Sequence, residues 1–192
     1  MPEHTPVDGP ARPVIRIERV PYGHPDALRL VAEVQAEYVA RYGGPDDTPL
    51  TPEMFEKPSG SFFVGYVDGV AAATGAWRRR NDVRALGSTD TAEIKRMYVA
   101  AIVRRTGLAR RMLAHLEATA YAAGARVAIL ETGVKQPEAI ALYESFGYQR
   151  IDGFGHYRDS PLSRCFAKDL AAPGAQDQAN LSSRLRSGRA IQ

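Results

Sequence analysis

The sequence predicts a mixed α/β domain, in which a twisted, mostly antiparallel sheet of six to seven strands carries about four helices on its faces. Three observations predict this class. Apolar strand-like segments are interspersed with amphipathic helical ones, a tight hairpin follows the first helices, and near the middle a strand, a helix and a second strand follow one another. Such a unit places its two strands side by side and parallel, through a right-handed crossover.

The first half of the chain is predicted to contain a strand, two helices and a hairpin. VIRIERV alternates in polarity and is rich in β-branched residues, as half-buried strands are. A helix follows over residues 27–43, with Asp26 as its expected N-cap. TPLTPEMFEKPSG predicts a short helix that Pro58 ends. The apolar arms of SFFVGYVDGVAAATGAW turn at Asp68-Gly69, a dipeptide typical of hairpins.

The second half supplies the strand–helix–strand unit. TAEIKRMYVA is predicted as a strand and residues 109–123 as an amphipathic helix. RVAILETG is nearly continuously apolar, which indicates a strand covered on both faces. QPEAIALYESFG predicts another helix, with Pro137 in its first turn. YQRIDGF and SRCFAKDL are expected to close the sheet.

One folded domain is expected over residues 14–170. Residues 1–13 are expected to be a flexible leader and residues 171–192 a disordered polar tail, because both ends lack periodic apolar residues. Neither end contains a signal peptide or a membrane anchor, so the cytoplasm is the expected location.

Composition argues against several classes of function. The formal net charge is +3, of which the tail contributes +2, so only +1 remains for the rest of the chain. A nearly balanced body indicates neither nucleic-acid binding nor membrane binding. Cys165 is the only cysteine, which excludes an internal disulfide and a cysteine-based metal site. We expect it to be buried and inert, and we expect no metal.

Four arginines surround the glycine that precedes the central helix: Arg104, Arg105, Arg110 and Arg111. They stand at the electropositive end of this helix, where a cation costs about 0.3–1 kcal/mol. A bound phosphate would reverse the sign, because backbone N–H groups and guanidinium groups would both donate to it. The alternative is an ordinary solvated helix face. The segment matches neither G-x-x-x-x-G-K-[ST] nor G-x-G-x-x-G, so two common nucleotide loops are not indicated.

Two segments resemble signatures of the GNAT superfamily of N-acetyltransferases. RRTGLA (104–109) is similar to [QR]-x-x-G-x-[GA], and QPEAIALYESFGY (136–148) is similar to N-x-x-A-x-x-L-Y-E-x-x-G-F. The resemblance covers nearly all of residues 14–170. It implies a GNAT-like fold whose central parallel strands splay apart. Ile94, Met97 and Val99 do not fall on one face of a regularly alternating strand, which predicts a bulge. Such a bulge agrees with the implied splay.

The resemblance implies that acetyl-CoA is the cosubstrate. Its pantetheine arm is expected along the central strand and its pyrophosphate on the arginine-rich loop. Gln136 stands where the family often has Asn, which moves the amide by one methylene group. The expected binding residues are Met97, Tyr98, Val99, Arg104, Arg105, Thr106, Gly107, Leu108, Ala109, Arg110, Gln136 and Ala139.

Tyr143 and Glu93 are the candidate catalytic residues. Tyr143 matches the position of the family's general acid, and a phenol with a pKa near 10 can protonate a thiolate without being ionised at neutral pH. Its alternative role is core packing. Glu93 resembles the family's general base. It is otherwise a counter-ion for a charged amine, or an edge carboxylate paired with Lys95 or Arg96.

Four further residues are candidates for the acceptor pocket. Trp77 and Arg78 stand near the end of the second hairpin arm, and ordinary surface placement is their alternative. Phe55 and Tyr38 lie on helices that flank the acceptor in the family that the sequence resembles.

The predicted function is N-acetylation of a small-molecule primary amine by direct attack in a ternary complex. Two other functions stay open: a non-catalytic acyl-CoA sensor on the same scaffold, and a nucleic-acid-binding module that uses the arginine-rich helix start. No aromatic stacking platform accompanies the arginines, which disfavours the latter. The family is often dimeric, so a homodimer is also considered.

Overall fold

A computed structural model describes residues 13–170 of the chain. Except for Pro13, the predicted leader and tail lie outside the described residues. The seven strands are β1 Ile15–Val20, β2 Gly60–Val67, β3 Val70–Arg79, β4 Thr91–Val99, β5 Val127–Gly133, β6 Gln149–Ile151 and β7 Ser163–Asp169. The helices are α1 Pro25–Tyr42, α2 Leu108–Ala122 and α3 Pro137–Ser145, with 3₁₀ turns at Pro52–Phe55 and Ala101–Val103.

All seven strands join one sheet in the order β1-β2-β3-β4-β5-β7-β6. Within residues 13–170, β4 with β5 is the one parallel pairing, and α2 makes the connection between these strands. The predicted fold class is therefore confirmed, with three α-helices and two short 3₁₀ turns in place of about four helices. None of the helices in this part of the chain is long and apolar enough to cross a bilayer.

The parallel pairing is short. Residues 91–94 of β4 pair with residues 127–130 of β5, and beyond this point the two strands no longer pair. A bulge in β4 accompanies the separation: Lys95 lies opposite Ala76 and Tyr98 lies opposite Thr74, and Arg96 has a φ of 53°. The bulge was predicted from residue parity, and it is confirmed.

The sheet carries a hydrophobic core on each face. Helices α2 and α3 cover one face, and α1 with the first 3₁₀ turn covers the other. The apolar side of α2 recurs at helical spacing, through Leu108, Met112, Leu116 and Ala120. It lies so close to β3 that a Cβ at Gly75 would come within 2.8 Å of Leu116. This packing fixes the start of α2 near the separated ends of the central strands.

Local signals set the ends of several elements. Asp68 and Gly69 have φ values of 49° and 83°, as the tight hairpin requires, and Gly43 ends α1 with a φ of 85°. The start of α1 differs from the prediction. His24, not Asp26, is the N-cap, and its Nδ1 accepts the Asp26 N–H at 3.2 Å. Pro25 occupies the first helical position, which places Asp26 inside the first turn.

Candidate active site

A cleft opens where β4 and β5 separate, and it comprises two adjoining cavities. The smaller has a volume of about 60 Å³ and the larger a volume of about 270 Å³. The separation leaves room between the strand ends, which is where open α/β sheets usually bind ligands. Both cavities are lined by Tyr38, Asp46, Lys95, Glu131, Thr132 and Gln136.

The structure brings five of the predicted site residues together on the wall of the smaller cavity. They come from α1, from β4 beyond its pairing with β5, and from α3 and its start. They are Tyr38, Met97, Gln136, Ala139 and Tyr143. The side chain of Gln136 turns towards β5, where its Oε1 accepts hydrogen bonds from the Thr132 hydroxyl at 3.3 Å and the Gly133 N–H at 3.4 Å.

Tyr143 is buried between the cavity and the core. Its ring packs against Tyr148 and Phe166, with centroid distances of 5.7 and 6.4 Å. Burial and the nearby Tyr38 raise the pKa of the Tyr143 hydroxyl, so this hydroxyl is fully protonated at neutral pH. Burial also raises the pKa of Tyr38, to about 12. Tyr143 therefore combines the packing contacts of a core residue with the protonation state of an acid.

Glu131 is a cleft residue that the sequence reasoning missed. It follows the last β5 residue that pairs with β4 and accepts a hydrogen bond from the Ser163 hydroxyl at 2.5 Å. Burial raises its pKa, although Ser163 and Lys95 act in the opposite direction. A signal was present in the sequence, since Glu131 interrupts the apolar run of a parallel strand near its carboxyl end.

Glu93 lies outside the walls of both cavities, at the centre of a buried ion-pair cluster. Its carboxylate pairs with Arg78 and Arg80 at 2.8 Å each and with Lys95 at 3.1 Å. Burial by itself raises the pKa of Glu93, but Lys95, Arg78 and Arg80 outweigh it and hold the pKa below its usual value. The considered pairing with Lys95 is thus present, whereas Arg96 pairs with Asp46 instead.

Three of the four residues expected in the acceptor pocket lie elsewhere. Trp77 is 3% exposed and donates its Nε1 hydrogen to the Thr119 hydroxyl of α2 at 3.0 Å, so it belongs to the core. Phe55 is 0% exposed and packs against two aromatic rings on the other face. Arg78 is held by Glu93. Only Tyr38 of these four lines the cleft.

The start of α2 is open to an anion. Gly107 is the N-cap, with a φ of 85°, and no side chain caps the helix. The first turn contains no acidic residue, unlike the first turns of α1 and α3. Backbone N–H groups at such a start have no partner within the helix. Residues 104–107 are exposed, and a Cβ at Gly107 would meet nothing within 4 Å.

The arginines of this loop differ in what they contact. Arg104 is bound by Glu37 through two 3.0 Å contacts, and its Nε donates to the Val99 carbonyl at 3.1 Å. Arg110 donates to the Ser145 hydroxyl at 3.0 Å and lies over the Phe146 ring. Arg105 and Arg111 are exposed and form no ion pair among residues 13–170.

The β4 segment beyond the bulge is anchored on its other sides. Tyr98 donates its hydroxyl hydrogen to Glu33 of α1 at 3.2 Å, and Thr74 of β3 donates to the Arg96 carbonyl at 2.8 Å. Met97, Tyr98 and Val99 are thus fixed in place without pairing with β5. Among the described residues, no group of three or more His, Cys, Asp or Glu side chains is placed to hold a metal ion.

Comparison with known proteins gives consistent matches. The model of the acetyltransferase (GNAT) family matches residues 30–148. The IAA acetyltransferase of Azospirillum brasilense is 31% identical over 147 residues, which are 74% of this chain and 90% of that protein. A crystal structure from Klebsiella pneumoniae, provisionally described as an acyl-CoA N-acyltransferase, has a TM-score of 0.65 at 27% identity and covers 82% of this chain and 98% of its own. A GNAT-family acetyltransferase from Staphylococcus aureus matches in fold, with a TM-score of 0.65 at 18% identity over 82% of this chain and 100% of its own.

Proposed function

This chain belongs to the GNAT family of acetyltransferases, and from that premise we propose that it transfers an acetyl group from acetyl-CoA to the primary amine of a small molecule. The observation that carries the proposal is the small cavity between the separated ends of β4 and β5. Its wall holds a protonated phenol, Tyr143, and a carboxylate with a raised pKa, Glu131. An acid and a base facing one space are what acetylation of an amine requires.

The residues at the start of α2 fit the diphosphate of acetyl-CoA. The uncapped N–H groups of Leu108, Ala109 and Arg110 would donate to phosphate oxygens, and the helix dipole favours the negative charge. Arg105 and Arg111 are exposed and free of ion pairs within residues 13–170, so their guanidinium groups are available to add a contact. The bound cosubstrate supplies the activated acetyl group as a thioester.

The segment around Met97 fits the pantetheine arm. Its backbone is held by contacts to α1 and β3, yet it does not pair with β5. A chain of amides can hydrogen-bond to such a strand edge as an added strand does. Gln136 and Ala139 would flank this arm from the start of α3, since both line the small cavity.

Glu131 and Tyr143 share the proton transfers in this proposal. A protonated amine carries two protons that the amide product lacks. Glu131 accepts the first, directly or through water, and releases it to solvent, which leaves a neutral nucleophile. As the new C–N bond forms and the C–S bond breaks, Tyr143 donates its proton to the thiolate sulfur. The second proton of the amine nitrogen then restores the Tyr143 phenol.

Two residues have other parts in the proposal. Glu93 is an ionised anchor that holds Lys95, so we assign the role of base to Glu131 instead. Cys165 is buried, and burial raises the pKa of its thiol. A buried thiol of this kind is a poor nucleophile, which favours direct attack over a covalent cysteine intermediate.

The test is the variant Tyr143→Phe, with Tyr121→Phe as the matched control on α2. We expect Tyr143→Phe to lower kcat about 100-fold in an assay of acetyl-CoA-dependent thiol release, since a general acid contributes roughly this much. Calorimetry should show an unchanged Kd for CoA. Tyr121→Phe should leave both kcat and the Kd for CoA at their wild-type values.

Two outcomes would overturn the proposal. If the folded wild-type chain binds CoA but acetylates no member of a broad amine library, it is a sensor. If it gives no heat with CoA or acetyl-CoA at millimolar concentration, the phosphate site is absent as well.

A further inference from the structure

The larger cavity carries more negative charge than its cations neutralise. Asp46 on its wall pairs with Arg96 at 2.5 Å. Asp47 and Glu131 are also on the wall, and neither forms an ion pair within residues 13–170. Lys95 is the one cation on the wall among these residues, and it shares the Glu93 carboxylate, 3.1 Å away, with Arg78 and Arg80. A ligand in this cavity therefore meets two carboxylates without an ion-pair partner, Asp47 and Glu131, against one cation that is already paired.

Two other cations near the cleft contact groups outside the cavity or on its wall, without lining the cavity themselves. Lys135 is exposed and lies over the ring of Tyr42, with its Nζ 5.6 Å from the ring centroid, and it is not part of the wall. Arg164 donates to the backbone carbonyls of Pro161 and Ser163. Neither residue is part of the wall, so the carboxylates on the wall outnumber its cations.

Three tyrosines complete the wall, and their positions are fixed. The Tyr157 hydroxyl accepts the Asp47 N–H at 2.7 Å, and the Tyr42 hydroxyl accepts the Lys135 N–H at 3.1 Å. Tyr38 is on the wall of both cavities. Aromatic rings attract alkylammonium groups and also pack against apolar bodies. The same contacts hold Asp47 in place, because its backbone is bonded to Tyr157.

We infer that the acceptor is a compact cationic amine without a carboxylate group, and that the carboxylates of Asp47 and Glu131, which have no ion-pair partner, select it. The inference rests on the proposed function and names its substrate class. An amino acid would bring its own carboxylate against these two, where the one cation on the wall is already paired. The volume of about 270 Å³ suits a ligand the size of an arylalkylamine or a short diamine.

The first experiment uses pairs of acceptors that differ only by the carboxylate: phenethylamine with phenylalanine, tyramine with tyrosine, and cadaverine with lysine. We expect kcat/KM for the amine to exceed that for the amino acid by about tenfold or more, which corresponds to roughly 1.4 kcal/mol. The α-amine of an amino acid is the less basic of the two, so the availability of the neutral nucleophile works against the expected result.

The second experiment changes Asp47 alone. We expect Asp47→Asn to raise KM for the amines several-fold with little change in kcat, and to reduce the preference within each pair. Asp47→Lys should reduce it further or reverse it. Asp159→Asn is the matched control, because it removes the same charge from a side chain that is 92% exposed and outside the wall. It should behave as the wild type does.

The outcomes distinguish a wrong substrate class from a wrong proposed function. Equal rates within each pair, faster acetylation of the amino acids, or equal effects of Asp47→Asn and Asp159→Asn would overturn the inference and leave the acetyltransferase in place. Acetylation of another amine of the library but of neither member of any pair would overturn the inference alone. Acetylation of no library amine by a chain that binds CoA would overturn the proposed function, and the inference with it.

Discussion

At the scale of single residues, Glu93 and Glu131 show how surroundings give one side-chain type two different properties. Both stand on the central strands. Three cations surround Glu93 and lower its pKa against the effect of burial, whereas burial dominates at Glu131 and raises its pKa. Glu93 is therefore ionised throughout the neutral range and serves as an anchor. Burial of Glu131 favours its protonated form, as suits a group that accepts a proton.

We expect Glu131→Gln to lower kcat/KM about 100-fold while leaving the fold at least as stable, since a general base contributes roughly this factor. A raised pKa in the folded state means that the protonated form stabilises the fold. This stabilisation is present below the unfolded pKa near 4.5 and is lost as pH rises through the folded pKa. At pH 7 a neutral amide removes the penalty of the buried charge.

Steady-state kinetics and urea unfolding at pH 7 check the Glu131 prediction. Glu144→Gln, on the exposed side of α3, is the matched control and should change neither quantity. A Glu131→Gln variant that retains wild-type kcat/KM would return the role of base to another group.

We expect Glu93→Gln to lower the free energy of unfolding far more than a substitution of an exposed residue in the same ion-pair cluster does. The substitution leaves Arg78 and Lys95 without their anion and Arg80 with Asp82 alone, and we expect a loss of about 3–5 kcal/mol in the free energy of unfolding. Asp82→Asn removes another partner of Arg80 at an exposed position and should cost less than about 1 kcal/mol. Chemical denaturation measures both. A stable Glu93→Gln variant without activity would instead support the predicted catalytic role of Glu93.

At the scale of elements, short-range signals predicted most of the fold. The Asp68-Gly69 turn, the glycine at the end of α1 and the bulge after Ile94 each depend on the backbone preferences of a few neighbouring residues. The predicted start of α1 was wrong by two residues, because Asp26 and His24 can both act as the N-cap and Pro25, at the first helical position, decides for His24. The first residue of a helix thus depends on a few neighbouring residues, and more than one of them can act as the N-cap.

The candidate site was less predictable, because it depends on contacts between distant parts of the chain. Tyr38 and Tyr143 were found through their helices and the family signature. Trp77 could not be assigned to a face without knowing that Thr119, 42 residues away, accepts its indole hydrogen. Glu131 lines the cleft only because β4 and β5 stop pairing one residue before it. The sequence pattern of neither strand indicates where this pairing ends.

The start of α2 gives a prediction in which stability and binding change in opposite directions. Ala109→Glu places an acid in a first turn that has none, so the free helix should gain about 0.3–1 kcal/mol. The same charge repels phosphate, so the Kd for CoA should rise at least tenfold. Ala109→Gln controls for size and should have a smaller effect on both. Thermal unfolding and calorimetry make the comparison, and equal effects of Glu and Gln would contradict an anion site.

At the scale of the whole molecule, buried ion pairs join the two faces and the centre of the sheet. Asp46 on the loop after α1 pairs with Arg96 of β4, and Lys168 of β7 pairs with Glu117 of α2 at 2.7 Å. Burial alone raises the pKa of Asp46, but Arg96 and the Thr48 hydrogen bonds outweigh it, and its pKa is lowered. Ionised carboxylates therefore connect segments that are far apart in sequence.

These lowered pKa values predict loss of stability in acid. A depressed folded pKa gives a contribution that is complete above the unfolded pKa values, 3.8 for Asp46 and 4.5 for Glu93, and that is lost as pH falls through the lower folded values. We expect the free energy of unfolding to fall steeply below about pH 4.5. In Asp46→Asn the fall should be shallower, as urea unfolding across pH 3–7 can show. An identical pH dependence in the variant would contradict the assignment.

The short parallel pairing has a further consequence for the molecule. Strands β1 to β4 and strands β5 to β7 form two antiparallel halves, each made from a continuous stretch of chain, and only four residue pairs join them across the sheet. The angle between the halves therefore depends on small residues at this junction, such as Ala92 and Ala128, which are fully buried and line neither cavity. A bulkier side chain there would change the width of the opening, and with it the apparent affinity for donor and acceptor together.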